Sequence, residues 1–121
     1  MSSSILIVDD DAPLAAFASK YLTRVGYEVR TCRSAADAWQ VLNTSDVTVA
    51  IIDVTLGDSE GEELARRILD SILATRVLLW SGYPFDVLRL SAHKERSGFL
   101  QKPFTPPMLV AAVEKLAPRL G

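Results

Sequence analysis

A chain of 121 residues is long enough for one hydrophobic core, so we expect residues 1–121 to form a single domain. Its net charge of −2 argues against binding nucleic acid or an anionic membrane, and no apolar run is long enough for a transmembrane helix. The lone cysteine and lone histidine exclude an internal disulfide and a zinc site. The first residues lack a basic region and an extended apolar region, so we expect no signal peptide and a cytoplasmic protein.

Five short apolar runs predict β-strands, because their length and β-branched content are typical of buried strands. These runs lie at residues 4–8, 27–32, 48–52, 76–80 and 98–100. The segments between them have helical periodicity. The resulting order of elements is (βα)5, which predicts an α/β fold of the flavodoxin-like class.

Capping signals predict where the helices begin and end. The first helix ends at Gly26, and Ser34 with Asp37 begins the second. Ser59 with Glu62 begins the third, and a helix with loose apolar spacing is predicted over 84–94. Thr105 followed by Pro106 begins the fifth. The predicted inward stripes are Leu14, Phe17, Ala18, Tyr21, Leu22 and Val25; Ala38, Val41 and Leu42; Leu64, Ile68 and Ile72; and Leu109, Ala112, Val113 and Leu116.

Polar side chains follow four of the predicted strands. Asp9 and Asp10 follow the first, Asp53 the third and Ser81 the fourth, and Lys102 lies just beyond the fifth. Right-handed crossovers favour the strand order 2-1-3-4-5, in which strand 3 lies between strands 1 and 4. We therefore expect these groups to converge in one crevice at the carboxyl ends of the strands.

Three carboxylates in one crevice repel one another by about 3 kcal/mol per pair at roughly 5 Å separation and an effective dielectric of about 20. One lysine cannot offset several such terms. Either some of the acids hold protons at neutral pH or a divalent cation lies among them. A small set of oxygen ligands open to water suits Mg²⁺. With a lysine and a hydroxyl facing it, Asp53 is equipped to act as a nucleophile towards phosphate.

This combination resembles the response-regulator receiver domain of two-component signalling over essentially the full chain. The residues that carry the resemblance are Asp9-Asp10, Asp53, Ser81 and Lys102-Pro103. The resemblance implies that Asp53 accepts a phosphoryl group from the phosphohistidine of a partner kinase or from a small acyl phosphate. The resulting phosphoprotein would switch a protein-binding surface.

The resemblance also implies a role for each matching position. Asp10 and Asp53 would ligate Mg²⁺ directly, together with the backbone carbonyl of Thr55, and Asp9 would act through water. Lys102 would pair with Asp53 or the phosphoryl group, and the peptide bond between Lys102 and Pro103 would be cis. The hydroxyl of Ser81 would donate to a phosphoryl oxygen.

Two positions depart from the common pattern of the family. Phe99 stands where the family carries a switch aromatic that is often tyrosine, so packing alone would govern its movement. Gly57 stands where proline is common, in the loop that follows Asp53. The nucleophile is retained in this sequence, and the rigidity of its loop is left open.

The implied partners are a sensor histidine kinase or a phosphotransfer protein and a downstream protein, with the chain a monomer or a phosphorylation-dependent dimer. We expect no enzymatic turnover beyond its own phosphorylation and dephosphorylation. With no output domain after the fifth helix, the chain is expected to be a stand-alone receiver, a phosphate shuttle in a relay, or a piece of a longer protein.

The alternative functions are an aspartyl-phosphate phosphatase or phosphotransferase and a flavin carrier of the same topology. Asp53 lacks the Asp-x-Asp pattern of the phosphatases, and Asp-Asp-Asp replaces the phosphate loop that a flavin carrier needs.

Overall fold

The computed structural model describes residues 3–57 and 60–117. Its elements in chain order are β1 (Ser4–Val8), α1 (Ala12–Arg24), β2 (Glu28–Cys32), α2 (Ala35–Thr44), β3 (Val49–Asp53), α3 (Glu60–Leu69), β4 (Arg76–Ser81), a 3₁₀ segment (Val87–His93), β5 (Ser97–Gln101) and α4 (Pro106–Leu116). None of the helices in these two ranges has the length and apolar character needed to cross a membrane.

The five strands form one parallel sheet in the order β2-β1-β3-β4-β5. This arrangement confirms both the predicted α/β class and the predicted strand order. Strand β3 lies at the centre, between β1 and β4, and all five of its residues are buried. Strands buried on both faces read as continuous apolar runs, which is why Val49-Ala-Ile-Ile52 shows no alternation.

The sheet carries one apolar core on each face, because successive side chains along a strand point to opposite sides. Ile7, Ile51 and Trp80 belong to the core packed under α1 and α4, which we call the first face. Val8, Ile52 and Leu79 belong to the core packed under α2 and α3, which we call the second face.

Two predicted helix starts and one helix end are confirmed. The hydroxyl oxygens of Ser34 and Thr105 accept hydrogen bonds from the third residue beyond each, Asp37 N–H at 3.1 Å and Met108 N–H at 3.3 Å. Gly26 follows α1 with φ +105°, a conformation that glycine adopts without a steric penalty. The predicted cap at Ser59 lies outside the described residues.

The predicted fourth α-helix over 84–94 was wrong. The chain instead forms a 3₁₀ segment over Val87–His93, with a kink at Leu90 (φ −112°, ψ 27°). The loose apolar spacing there supplies too little one-sided burial to sustain an α-helix.

Two predicted core positions were also wrong. Ile72 lies beyond the end of α3 and is fully exposed. Phe17 is 42% exposed. The buried stripe of α1 is narrower than predicted and consists of Ala15, Ala18 and Leu22. Phe17 therefore lies at its edge, where its ring pairs with Tyr21 at 5.0 Å between centroids.

Candidate functional site

Asp9 and Asp53 are brought together by the pairing of β1 with β3. Val8 pairs with Ile52, so the residues that follow each of them lie side by side where the strands end. Alternation along both strands directs the two carboxyl groups to the first face, in line with Ile7 and Ile51. Both residues are buried, with relative exposures of 1% and 6%.

Lys102 reaches this pair from β5. Backbone pairing continues past the strand, because Lys102 N–H donates to the carbonyl of Ser81 at 2.8 Å. Its ammonium nitrogen then lies 3.2 Å from Asp9 Oδ2 and 3.8 Å from Asp53 Oδ2. The amine thus bridges the two carboxylates, and Asp9 is the nearer partner. The Lys102–Pro103 peptide bond is cis, as the resemblance implied.

Burial dominates the electrostatics of Asp9. Loss of hydration raises the pKa of its carboxyl, and the neighbouring Asp53 raises it further. The N–H of Asp11, which donates to Asp9 Oδ1 at 2.8 Å, and the ammonium of Lys102 act in the opposite direction. Since desolvation is the largest of these effects, the pKa of Asp9 lies above its ordinary value.

The two oxygens of Asp53 have different surroundings. Oδ1 accepts hydrogen bonds from both the backbone N–H and the hydroxyl of Thr55, each at 3.0 Å. Oδ2 is the oxygen that faces Lys102. The family resemblance implied a role for the backbone carbonyl of Thr55 but none for its hydroxyl. An acid followed two residues later by a hydroxyl residue is a signal for such a turn, and it could have revealed the side-chain contact.

Asp10 completes a cluster of three acids. One carboxylate oxygen from each of Asp9, Asp10 and Asp53 lies within 4.8 Å of the others, and Asp10 is exposed. Oxygens bound directly to one Mg²⁺ lie about 3 to 4 Å apart, given metal–oxygen distances of about 2.0–2.1 Å. A cluster of this size fits a Mg²⁺ ion with part of the coordination through water. Carboxylate oxygens are the donors that this ion prefers, and the exposed Asp10 leaves the cluster open to water on one side.

The loop after Asp53 follows a path that proline could not adopt. Gly57 has φ +54°, whereas the ring of proline fixes φ near −65°. At the start of α3, a Cβ on Gly61 would overlap the backbone carbonyl oxygen of Asp53. Helix α3 therefore packs directly against the backbone of Asp53 through a residue without a side chain. A glycine in the first turn of a helix was the available sequence signal for this close approach.

Ser81 and Phe99 are oriented towards the second face. Ser81 is 2% exposed, and its hydroxyl oxygen accepts a hydrogen bond from Tyr83 N–H at 3.1 Å. Phe99 packs against the core of the second face, with its ring centroid 6.1 Å from that of Phe85. Ser81 therefore ends the strand next to β3, and Phe99 lies on the same side of the sheet as Ser81. Their assigned roles stay predictions.

The sequence analysis missed the aromatic residues around Lys102. Its ammonium lies 5.4 Å from the centroid of the Trp80 ring, and that ring stacks on Phe104 at 5.3 Å with an angle of 23° between the planes. Residue spacing gives no sign of this contact. Only the register of β4 with β3 and β5 reveals that Trp80 lies between Asp53 and Leu100.

Comparison with known proteins identifies a family model that spans the residues of this site. The family model described as the response regulator receiver domain matches residues 5–114. The chain is 31% identical over 119 residues to the transcriptional regulatory protein GltR of Pseudomonas aeruginosa, and the match covers 96% of this chain and 49% of GltR. It is 31% identical over 116 residues to the DNA-binding transcriptional regulator NtrC of Azospirillum brasilense, covering 94% of this chain and 24% of NtrC. The chain thus spans about half the length of one relative and a quarter of the other.

Solved structures share the fold. A CheY-like response regulator receiver domain protein from Methanospirillum hungatei superposes with a TM-score of 0.84 at 25% identity, covering 97% of this chain and 95% of that one.

Proposed function

This chain belongs to the response regulator receiver domains, and we propose that it is switched by phosphorylation of Asp53. The observation that carries the proposal is the placement of Asp53, whose Oδ2 lies 3.8 Å from the ammonium of Lys102, within an acid cluster suited to a divalent cation. The phosphoryl donor is the phosphohistidine of a histidine kinase or phosphotransfer protein, or a small acyl phosphate.

We assign the attack to Oδ2 of Asp53. Oδ1 already accepts two hydrogen bonds from Thr55, which reduces the availability of its lone pairs and fixes the orientation of the carboxylate. Oδ2 forms the new bond to phosphorus as the bond from phosphorus to the donor's nitrogen or oxygen breaks, and the electron pair of that bond leaves with the donor. Lys102 stabilises the negative charge on the transferred oxygens.

Asp10, Asp53 and the backbone carbonyl of Thr55 would hold Mg²⁺, with Asp9 acting through water, and the bound ion would supply positive charge against the repulsion between acid and phosphate. Asp9 holds the ammonium of Lys102 in the crevice through its 3.2 Å contact. In the resting protein the ammonium of Lys102 lies nearer to Asp9 than to Asp53. Once Asp53 carries phosphate, the added negative charge attracts the ammonium towards it.

The output is a change of binding surface. Phosphate on Asp53 attracts the hydroxyl of Ser81, whose O–H donates to a phosphoryl oxygen while its oxygen still accepts from Tyr83 N–H, so the loop that carries Tyr83 is drawn along. Movement of this loop alters the packing of Phe85 against Phe99. The surface formed by the 3₁₀ segment and β5 then binds a downstream protein or a second copy of the chain. The conformational change is a shift between two populations. The chain catalyses only its own phosphorylation and dephosphorylation.

Intact mass spectrometry tests the proposal. Wild-type protein incubated with acetyl phosphate and Mg²⁺ should gain the mass of one phosphoryl group in an acid- or base-labile form. Asp53→Asn keeps the shape of the side chain and should gain none, while Asp46→Asn, which changes an exposed acid elsewhere, should react like wild type. Chelation of Mg²⁺ with EDTA should abolish the gain. Equal labelling of wild type and Asp53→Asn would refute the proposal. Continuous release of phosphate far above one equivalent would indicate a phosphatase instead.

A further inference from the structure

Trp80 has surroundings that simple packing does not explain. Its side chain is completely buried, yet its indole N–H has no hydrogen-bond partner among the described residues. Burying an N–H without a partner is unfavourable, and a phenylalanine or leucine would fill an apolar position without that cost. What the indole offers beyond apolar volume is a large π face, which attracts cations more strongly than the ring of Phe or Tyr.

A cation lies near that ring. The ammonium of Lys102 is 5.4 Å from the ring centroid, within the range of about 6 Å over which cation–π attraction is significant. The same ammonium lies 3.2 Å from Asp9 Oδ2 and 3.8 Å from Asp53 Oδ2. Lys102 thus contacts carboxylates as well as an aromatic ring. The ring excludes water from part of the amine, which strengthens both types of contact.

Phe104 and the two neighbouring strands hold the ring of Trp80 in place. Phe104 stacks on it at 5.3 Å, and strand pairing places Trp80 opposite Asp53 on one side and Leu100 on the other. Lys102 and Phe104 are two residues apart, so the same segment supplies both the cation and the ring that stacks on Trp80. A lysine side chain has four rotatable bonds and much entropy to lose when it is fixed. A rigid aromatic surface limits the positions open to the amine.

We propose that Trp80, supported by Phe104, is a positioning residue that holds the ammonium of Lys102 between Asp9 and Asp53. The ring acts on the phosphoryl chemistry through its contact with Lys102. In the resting protein it keeps the amine beside the carboxylates. During phosphoryl transfer, for which the inference rests on the proposed function, it lets the amine move from Asp9 to Asp53 without losing its aromatic contact.

The contact has a spectroscopic signature that does not depend on phosphorylation. Protons above an aromatic face are shielded, so the ε-CH₂ signals of Lys102 should lie upfield of those of Lys20, Lys94 and Lys115 in a ¹H–¹³C spectrum. Lys102→Arg identifies the signals by removing them. Trp80→Leu should return them to the ordinary position, whereas Trp80→Phe, which keeps an aromatic face, should retain part of the shift. Unchanged Lys102 signals in both variants would overturn the proposal.

A double-mutant cycle separates positioning from packing. Trp80→Leu should slow phosphorylation by acetyl phosphate about three- to tenfold, the range expected for loss of one cation–π contact. In a Lys102→Ala background the same change should have no further effect. Equal slowing in both backgrounds would show that Trp80 is structural and would overturn the proposal.

Two further variants control for stability. Leu78→Ala changes a buried residue two positions earlier on the same side of β4, and it should lower the unfolding free energy without slowing phosphorylation. Trp80→Phe removes the unpartnered N–H, and it should fold even where Trp80→Leu does not. If the wild type takes up no phosphate, the proposed function fails, and the position of the Lys102 signals alone decides the present inference.

Discussion

The ends of β3 and β4 lie side by side in the sheet, and different kinds of contact hold them. At the end of β3, Asp53 is buried, its Oδ1 accepts two hydrogen bonds from Thr55, and its carbonyl lies against Gly61 of α3. At the end of β4, Ser81 is equally buried, but the next three residues, 82–84, are exposed.

Beyond these exposed residues, polar contacts join the 3₁₀ segment to α3 and the residue that follows it. Glu62 forms an ion pair with Arg89 at 3.0 Å, and Asp70 Oδ1 lies 2.9 Å from His93 Nε2, within hydrogen-bonding distance. The Arg89 side chain is 57% exposed, and such exposed pairs contribute at most about 1 kcal/mol. Leu90 is the buried apolar anchor of the segment. The nucleophile is therefore held by buried contacts, whereas the neighbouring surface, apart from Leu90, is attached by exposed contacts that are easily exchanged.

The largest expected effect comes from breaking the close approach at the end of β3. Gly61→Ala should lower the unfolding free energy by about 2 to 3 kcal/mol, because its Cβ would overlap the carbonyl of Asp53 and force α3 away from the strand. The matched control is Gly82→Ala at the end of β4, where a Cβ meets no atom within 4 Å and φ is not positive. That variant should change stability by less than about 1 kcal/mol, on the stabilising side. Denaturation in urea measures both, and equal losses would contradict the contrast between the two strand ends.

The buried carboxyl group of Asp9, which lies beside Asp53, gives a second prediction. The folded-state pKa of Asp9 is raised above its ordinary 3.8, mainly by burial, so the folded protein binds a proton there more tightly than the unfolded chain does. The unfolding free energy of the wild type should therefore fall as pH rises from about 3.8 to the folded-state pKa of Asp9. Above that pKa, this carboxyl should cause no further change in the unfolding free energy. Asp9→Asn removes the charge and should lack this loss.

Measured in EDTA, the unfolding free energy of Asp9→Asn minus that of wild type should increase with pH through that window and then level off. Asp46→Asn changes an exposed acid and should give a flatter difference. A difference for Asp9→Asn that falls as pH rises would mean that Lys102 and the N–H of Asp11 outweigh desolvation. The hydrogen bond from Asp11 can be kept by the amide oxygen of asparagine, so the variant tests charge more than geometry.

The sequence predicted the rigid region better than the labile one, for a physical reason. Continuous apolar runs and the acids that end them specify the sheet, and parallel pairing alone brings Asp9 and Asp53 together. The predicted helix over 84–94 failed because its apolar residues are too loosely spaced to give an α-helix a continuous buried face.

Two details of the site depend on three-dimensional packing. The contact of Trp80 with Lys102 depends on the register of three strands, which residue spacing does not reveal. Phe17 is partly exposed because the neighbouring elements bury only a narrow strip along α1. Hydrophobic periodicity predicts which side of a helix faces the core but not the width of the buried strip.

The smallest expected effect concerns the ionic attachment of the 3₁₀ segment. Glu62 accepts contacts from both Arg66 and Arg89 at 3.0 Å, so Glu62→Gln should weaken both. The unfolding free energy should fall by no more than about 1 kcal/mol, and less in high salt. Amide hydrogen exchange should become faster across Val87–His93 and stay unchanged in β3, because only the first region depends on this contact. Glu63→Gln, one residue further along α3 and exposed, is the matched control and should leave both regions unchanged. Faster exchange in β3 as well would show that the two strand ends are coupled in the resting protein.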